Sequence, residues 1–140
     1  MKIKKIMYYS VPRSESATCD CCGKSIQNIC SITTIEDEHF NFGTTCFDKV
    51  VKDRLQSFQR KEMNKALRSI KSYCDCVRKW ETMTEQEYIE THYVGDGLPW
   101  KITEGLETFE DYKQWMLNDF FPYRISEEEK IIARFSKIDF

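Results

Sequence analysis

The spacing of cysteines between Cys19 and Cys46 constrains this chain more than any other feature. It reads Cys19-Asp20-Cys21-Cys22-Gly23-Lys24, then Cys30, then Gly43-Thr44-Thr45-Cys46. Cys19 and Cys22 can grip one metal ion across a tight turn, and Gly23 supplies the backbone freedom such a turn needs. A tetrahedral structural site wants four ligands, so two more must come from elsewhere. Cys46 follows Gly-Thr-Thr where an apolar helical pattern begins. This puts it in a helix's first turn, where the helix dipole favours a thiolate. For the fourth ligand, Cys30 on the strand-like run Ile29–Ile32 completes an all-thiolate set. His39, across the same hairpin, is the alternative, and Cys21 reads as pointing away from the chelate. Soft sulfur ligands at this spacing lead us to expect one structural Zn(II) per chain, held by Cys19, Cys22, Cys30 and Cys46.

This stretch, about residues 17–55, resembles a treble-clef or zinc-ribbon-like module: knuckle, hairpin, then a helix carrying the last ligand. It is similar to a loose group of small, mostly phage-borne proteins with C-x2-C-G-K, a strand and G-x-x-C at a helix start. The commoner treble clef carries a second C-x2-C pair at the helix, whereas here Lys49 stands three residues after Cys46. The resemblance implies a zinc-stabilised module and a host-modulating or anti-defence role.

A chain of 140 residues suits one domain, or one domain joined to a small metal module. We divide it into a zinc-binding strand–hairpin–helix module, 1–58, and a helical part, 59–140, packed into the same domain. The fold class is α+β and helix-dominated. No apolar run approaches the roughly 18 residues of a membrane span. Lys2, Lys4 and Lys5 are followed by no apolar signal core, so the expected location is the cytoplasm, where cysteines serve as metal ligands or free thiols. The net charge of -2 hides an asymmetry: residues 47–82 carry ten basic against five acidic side chains, and residues 83–140 carry six against thirteen.

Taken in order, Lys2–Ser10 reads as a strand pairing with a hairpin made by 28–35 and 39–42, with Glu36-Asp37-Glu38 as its turn. From Cys46 to Trp80 there is no Gly or Pro, and apolar residues recur at helical spacing except for the five-residue step from Phe58 to Met63. That step predicts a break near Gln59–Lys61, between a helix 45–58 and a helix 61–82. Thr84 caps a short helix 85–93, and Gly95–Trp100 reads as a loop. Thr108 caps a helix beginning at Phe109, Pro122 ends it, and Ser126-Glu127-Glu128-Glu129 opens a last helix.

The residue types point away from catalysis. His39 and His92 are the two histidines, and no phosphate loop or metal-hydrolase constellation accompanies them. A site closed by four thiolates offers a substrate no open position. The expected activity is therefore binding of a macromolecule, probed by two surfaces. The acidic, aromatic tail (Glu107, Glu110, Asp111, Phe120, Phe121, Glu127, Glu128 and Glu129) suits a basic protein or nucleoprotein partner. Alternatively, Lys61, Lys65, Arg68 and Lys79 share one helix side and suit nucleic acid.

Overall fold

The computed structural model describes residues 1–92 and 105–140. Its sheet has three antiparallel strands: β1 (Ile3–Ser10), β4 (Asn28–Thr34) and β5 (His39–Phe42), with β4 in the middle. β4 and β5 form the hairpin expected from their β-branched and aromatic residues, in a register that sets Cys30 opposite Phe42 and Ile32 opposite Phe40. Asp37 turns the hairpin in the left-handed region, at φ 63, a conformation that aspartate tolerates better than most residues. β1 lies on the other side of β4, with Ile6 opposite Ile32. Two short strands, β2 (Ala17–Thr18) and β3 (Ser25–Ile26), pair with each other to form the knuckle.

The helical break falls earlier than the apolar spacing predicts. α1 (Thr44–Val50) is followed by a 3-10 turn at Lys52–Arg54 and by extended Leu55, and α2 begins at Ser57 and runs to Glu81. Capping decides the position. The Gln56 and Gln59 side chains bond reciprocally to each other's backbone N–H groups, satisfying donors that an α-helix start leaves open. Phe58, counted above as part of the apolar face, is 65% exposed. With Phe58 outside, the five-residue step to Met63 carries no information about a break.

α2 crosses β1 and packs against the last helix, and the three share one core that contains Ile3, Ile6, Ile32, Phe47, Met63, Ile70 and Ile132. The sheet module and the helical part thus bury their apolar faces against each other. At the end of β1 the Ser10 N–H donates to Asp75 Oδ1 at 3.0 Å, fastening strand to helix. A second cluster gathers around Trp80 with Met83, Tyr88, Phe109, Met116 and Phe121.

α3 (Glu85–Thr91) starts as expected, with Thr84 Oγ1 accepting from the Glu87 N–H at 3.2 Å. The loop expected over 95–100 lies outside the described residues. α4 (Phe109–Trp115) has Thr108 as its cap in a reciprocal arrangement with Asp111. Beyond it the chain departs from expectation. Pro122 ends nothing: α4 passes through a π-helical stretch, Met116–Phe120, directly into α5 (Phe121–Ala133), with Pro122 in the first turn of α5. Proline removes one N–H donor and crowds the carbonyl four residues back, which here is Asn118. That carbonyl sits in the widened π turn, where the ladder is already shifted. Ser126 consequently opens no helix. It lies inside α5, and its hydroxyl donates to the Tyr123 carbonyl at 2.7 Å.

Among the described residues, no helix is long and apolar enough to cross a membrane.

Candidate metal centre

The knuckle is built by backbone bonds. The Cys19 N–H donates to the Lys24 carbonyl and the Gly23 N–H to the Cys19 carbonyl, both at 2.8 Å, closing a tight turn. Gly23 sits there at φ 76, a left-handed conformation that strains residues bearing a Cβ. Asp20 ties the turn to β5. Its N–H donates to the Asn41 carbonyl at 2.8 Å, and its carboxylate accepts from the Asn41 N–H at 2.6 Å. Gly43, just before α1, is also required: a Cβ there would stand 2.9 Å from Ile26 Cγ2. The start of α1 can approach the knuckle because residue 43 has no side chain.

That approach brings Cys19, Cys22 and Cys46 together. Their sulfur atoms all lie within 4.8 Å of one another, with Cys19 buried, Cys22 exposed and Cys46 in between. It is the one group of three or more potential ligands among the described residues. All seven cysteines are unpaired by disulfides.

The electrostatics suit thiolates. Burial opposes ionisation of Cys19, but N–H groups of Gly43, Cys22 and Cys21 aimed at its sulfur outweigh burial and bring the pKa to about 7. The Gly43 contact is 3.4 Å. Cys46 is pushed up to about 12, first by its hydrogen bond to Cys22, then by burial and by contacts with Cys19 and Cys21. Within the group Cys19 therefore ionises more readily than Cys46. A bound cation reverses the repulsion and deprotonates the remaining ligands.

Neither expected fourth ligand joins this group. Cys30 is 2% exposed, and its side chain belongs to the apolar core under the sheet. Burial pushes its thiol to about 12. His39 stands at the exposed start of β5, with Nδ1 3.1 Å from Thr33 Oγ1. Cys21, which the sequence places pointing away from the chelate, is exposed and stands outside the group of three close sulfurs. Its own N–H points at Cys19 and lowers that thiol's pKa.

The other predicted site residues are dispersed. Lys61, Lys65 and Arg68 line one groove on α2 together with Lys52 and Tyr8. Lys79 lines a different depression with Glu15, Asp75 and Glu81. In the tail, Asp111 is occupied as a cap, accepting from the N–H groups of Glu107 and Thr108 at 3.1 Å each. Glu110 accepts from Gln114, Glu127 pairs with Lys130 at 2.8 Å, and Glu129 pairs with Lys5 at 3.5 Å. Phe121 is 3% exposed and part of the Trp80 cluster, so it offers nothing to a partner. Phe120 is half-buried against Trp115, with the Arg124 guanidinium 5.5 Å from its ring centre. Glu107 and Glu128 keep part of their surface in solvent.

Comparison with protein-family models, with curated proteins and with solved structures finds no match.

Proposed function

We propose that this chain is a non-enzymatic, zinc-stabilised binding protein whose metal centre holds the knuckle, the hairpin and α1 in one arrangement for a macromolecular partner. The observation that carries the reading is the convergence of three sulfur atoms from the knuckle and α1 within 4.8 Å of one another. Soft thiolates at that separation suit Zn(II), which takes Cys sulfur in tetrahedral geometry. Cys21 is the fourth donor in this reading. Its thiol is exposed on the same knuckle as Cys19 and Cys22, whereas Cys30 would have to leave a packed core. Four thiolates close the shell, so the ion supplies folding energy and presents no position to a substrate. The resemblance to small phage-borne zinc proteins adds a host or defence nucleoprotein as the kind of partner.

Elemental analysis of protein purified without added metal tests the reading. One zinc per chain is expected, lost in Cys21→Ser and kept in Cys30→Ala. Native protein without zinc sinks the metal centre. Zinc retained in Cys21→Ser but lost in Cys30→Ala returns the fourth position to the strand.

A further inference from the structure

The exposed side of α2 brings together two features that usually occur apart. Lys61, Lys65 and Arg68 are exposed, and among the described residues none of them pairs with a carboxylate. The groove they line draws Lys52 from the 3-10 turn, Tyr8 from β1 and Asn64 from α2, and no acidic residue lines it. Phe58 is the most exposed large apolar residue among those described. It stands three residues before Lys61 and seven before Lys65. At about 100° per residue, Phe58, Lys61, Lys65 and Arg68 fall within an arc of about 80°, opposite buried Met63, Leu67 and Ile70. They span about 15 Å of helix.

A solvated lysine face needs no aromatic ring, and a ring kept for packing would not be left in water at the end of a cationic stripe. A flat apolar surface beside a row of unpaired cations matches one class of partner, a single strand of nucleic acid. Its phosphates neutralise the cations and its unstacked bases cover the ring. A duplex offers the same charge but keeps its base faces stacked. We infer that the Phe58–Arg68 face of α2 binds single-stranded nucleic acid, with Phe58 as stacking platform and Lys61, Lys65 and Arg68 as phosphate contacts. The inference rests on the reading of the chain as a binding protein and names its partner class.

The test is fluorescence anisotropy of the zinc-loaded full chain with a mixed-sequence labelled oligonucleotide, single-stranded and as a duplex, over a range of salt. The single strand should bind more tightly. Three phosphate contacts give a slope of log affinity against log salt of about -2. Phe58→Ala should weaken single-strand binding about five- to hundredfold and leave that slope unchanged. Lys61→Glu with Lys65→Glu should flatten the slope by about 1.4. Lys79→Glu, outside the groove, should leave binding as it was. Every substituted side chain is exposed, and matching melting curves verify that the fold is intact. No binding at low salt, equal affinity for duplex with no effect of Phe58→Ala, or competition by an acidic polypeptide but not by oligonucleotide would each overturn the inference. Zinc is measured on the same samples. A zinc-loaded chain that ignores oligonucleotides removes the surface and leaves the metal centre standing, and a zinc-free chain that binds them does the reverse.

Discussion

The knuckle at 17–26 and the aromatic cluster around Trp80 both lie beside the main core, and they are held by opposite means. Of the ten knuckle residues, Cys19 alone is buried, and the strands β2 and β3 are two residues each. Such a segment removes too little apolar surface from water to offset the entropy of ordering it, so directional contacts must do the holding. These are the N–H groups aimed at Cys19, the backbone pairs to Asn41 and the converging sulfurs. The Trp80 cluster uses area. The Trp80 ring centre lies 5.6 Å from that of Tyr112, 5.7 Å from Tyr88, 6.0 Å from Phe121 and 6.4 Å from Phe109, most of them edge-on or tilted. Aromatic rings bury large surfaces and favour such geometries. Where side chains are small, bonds set the structure; where they are large, packing does.

The sharpest way to break this contrast is to take the sulfurs away. On the proposed zinc reading, chelation, or Cys46→Ser, should release the knuckle, because structural zinc contributes on the order of 10 kcal/mol in small modules. Hydrogen exchange over residues 17–26 and 41–46 should accelerate to near the unfolded rate, while amides of the helices around Trp80 stay protected. Loss of protection in both regions together would show that the two are not held independently. A smaller loss is expected from Trp80→Ala. Removing a buried tryptophan costs about 3–5 kcal/mol, so the melting temperature should fall while the zinc content proposed above stays at the parent level. Zinc loss in this variant would tie the aromatic cluster to the metal centre.

The smallest effect sharpens the contrast from the aromatic side. The N–H groups of Glu107 and Thr108 hold the Asp111 carboxyl below the usual aspartate range. The folded state therefore favours the ionised form. This stabilisation is complete above the ordinary aspartate value and is lost as pH falls through the depressed one. Asp111→Asn should melt slightly below the parent at neutral pH, and the gap should close as the solution is acidified toward and below the depressed value. A gap that persists unchanged at the acid end would mean that the cap works by shape and not by charge.

Where local chemistry decides, the sequence was legible. Thr84 and Thr108 cap helices, Gly23 marks the knuckle turn, and the β-branched run 28–35 with the polar turn after it forms the hairpin, because each depends on residues a few positions apart. What could not be read depends on contacts between distant elements. Leu55 continues a helical spacing although its backbone is extended, since it is buried beside Phe47 and Met63 by the fold and not by a helix. Cys30 has the chemistry of a ligand, but the pairing of β4 between β1 and β5 turns it into the core. Phe58 has the chemistry of a core residue, yet the capping of α2 at Gln56 leaves it in solvent. Of the candidate site, the three mutually close sulfurs were legible and the fourth ligand was not.

The π stretch at Met116–Phe120 links two surfaces that must be satisfied at once. Upstream, Phe109 and Met116 face Trp80; downstream, Ile132 and Phe135 face the sheet-side core. A π turn takes in more residues than an α turn does. Deleting one residue there would let ordinary α geometry run through and would leave the rotation of everything after it nearly unchanged, because the π turn already holds one residue more than an α turn. Ile132 and Phe135 would then keep their register with the sheet, whereas a deletion within α5 between Tyr123 and Ile131 would rotate them by about 100°. The π stretch thus acts as the one place in this continuous helix where a residue can be lost without turning either packed face away.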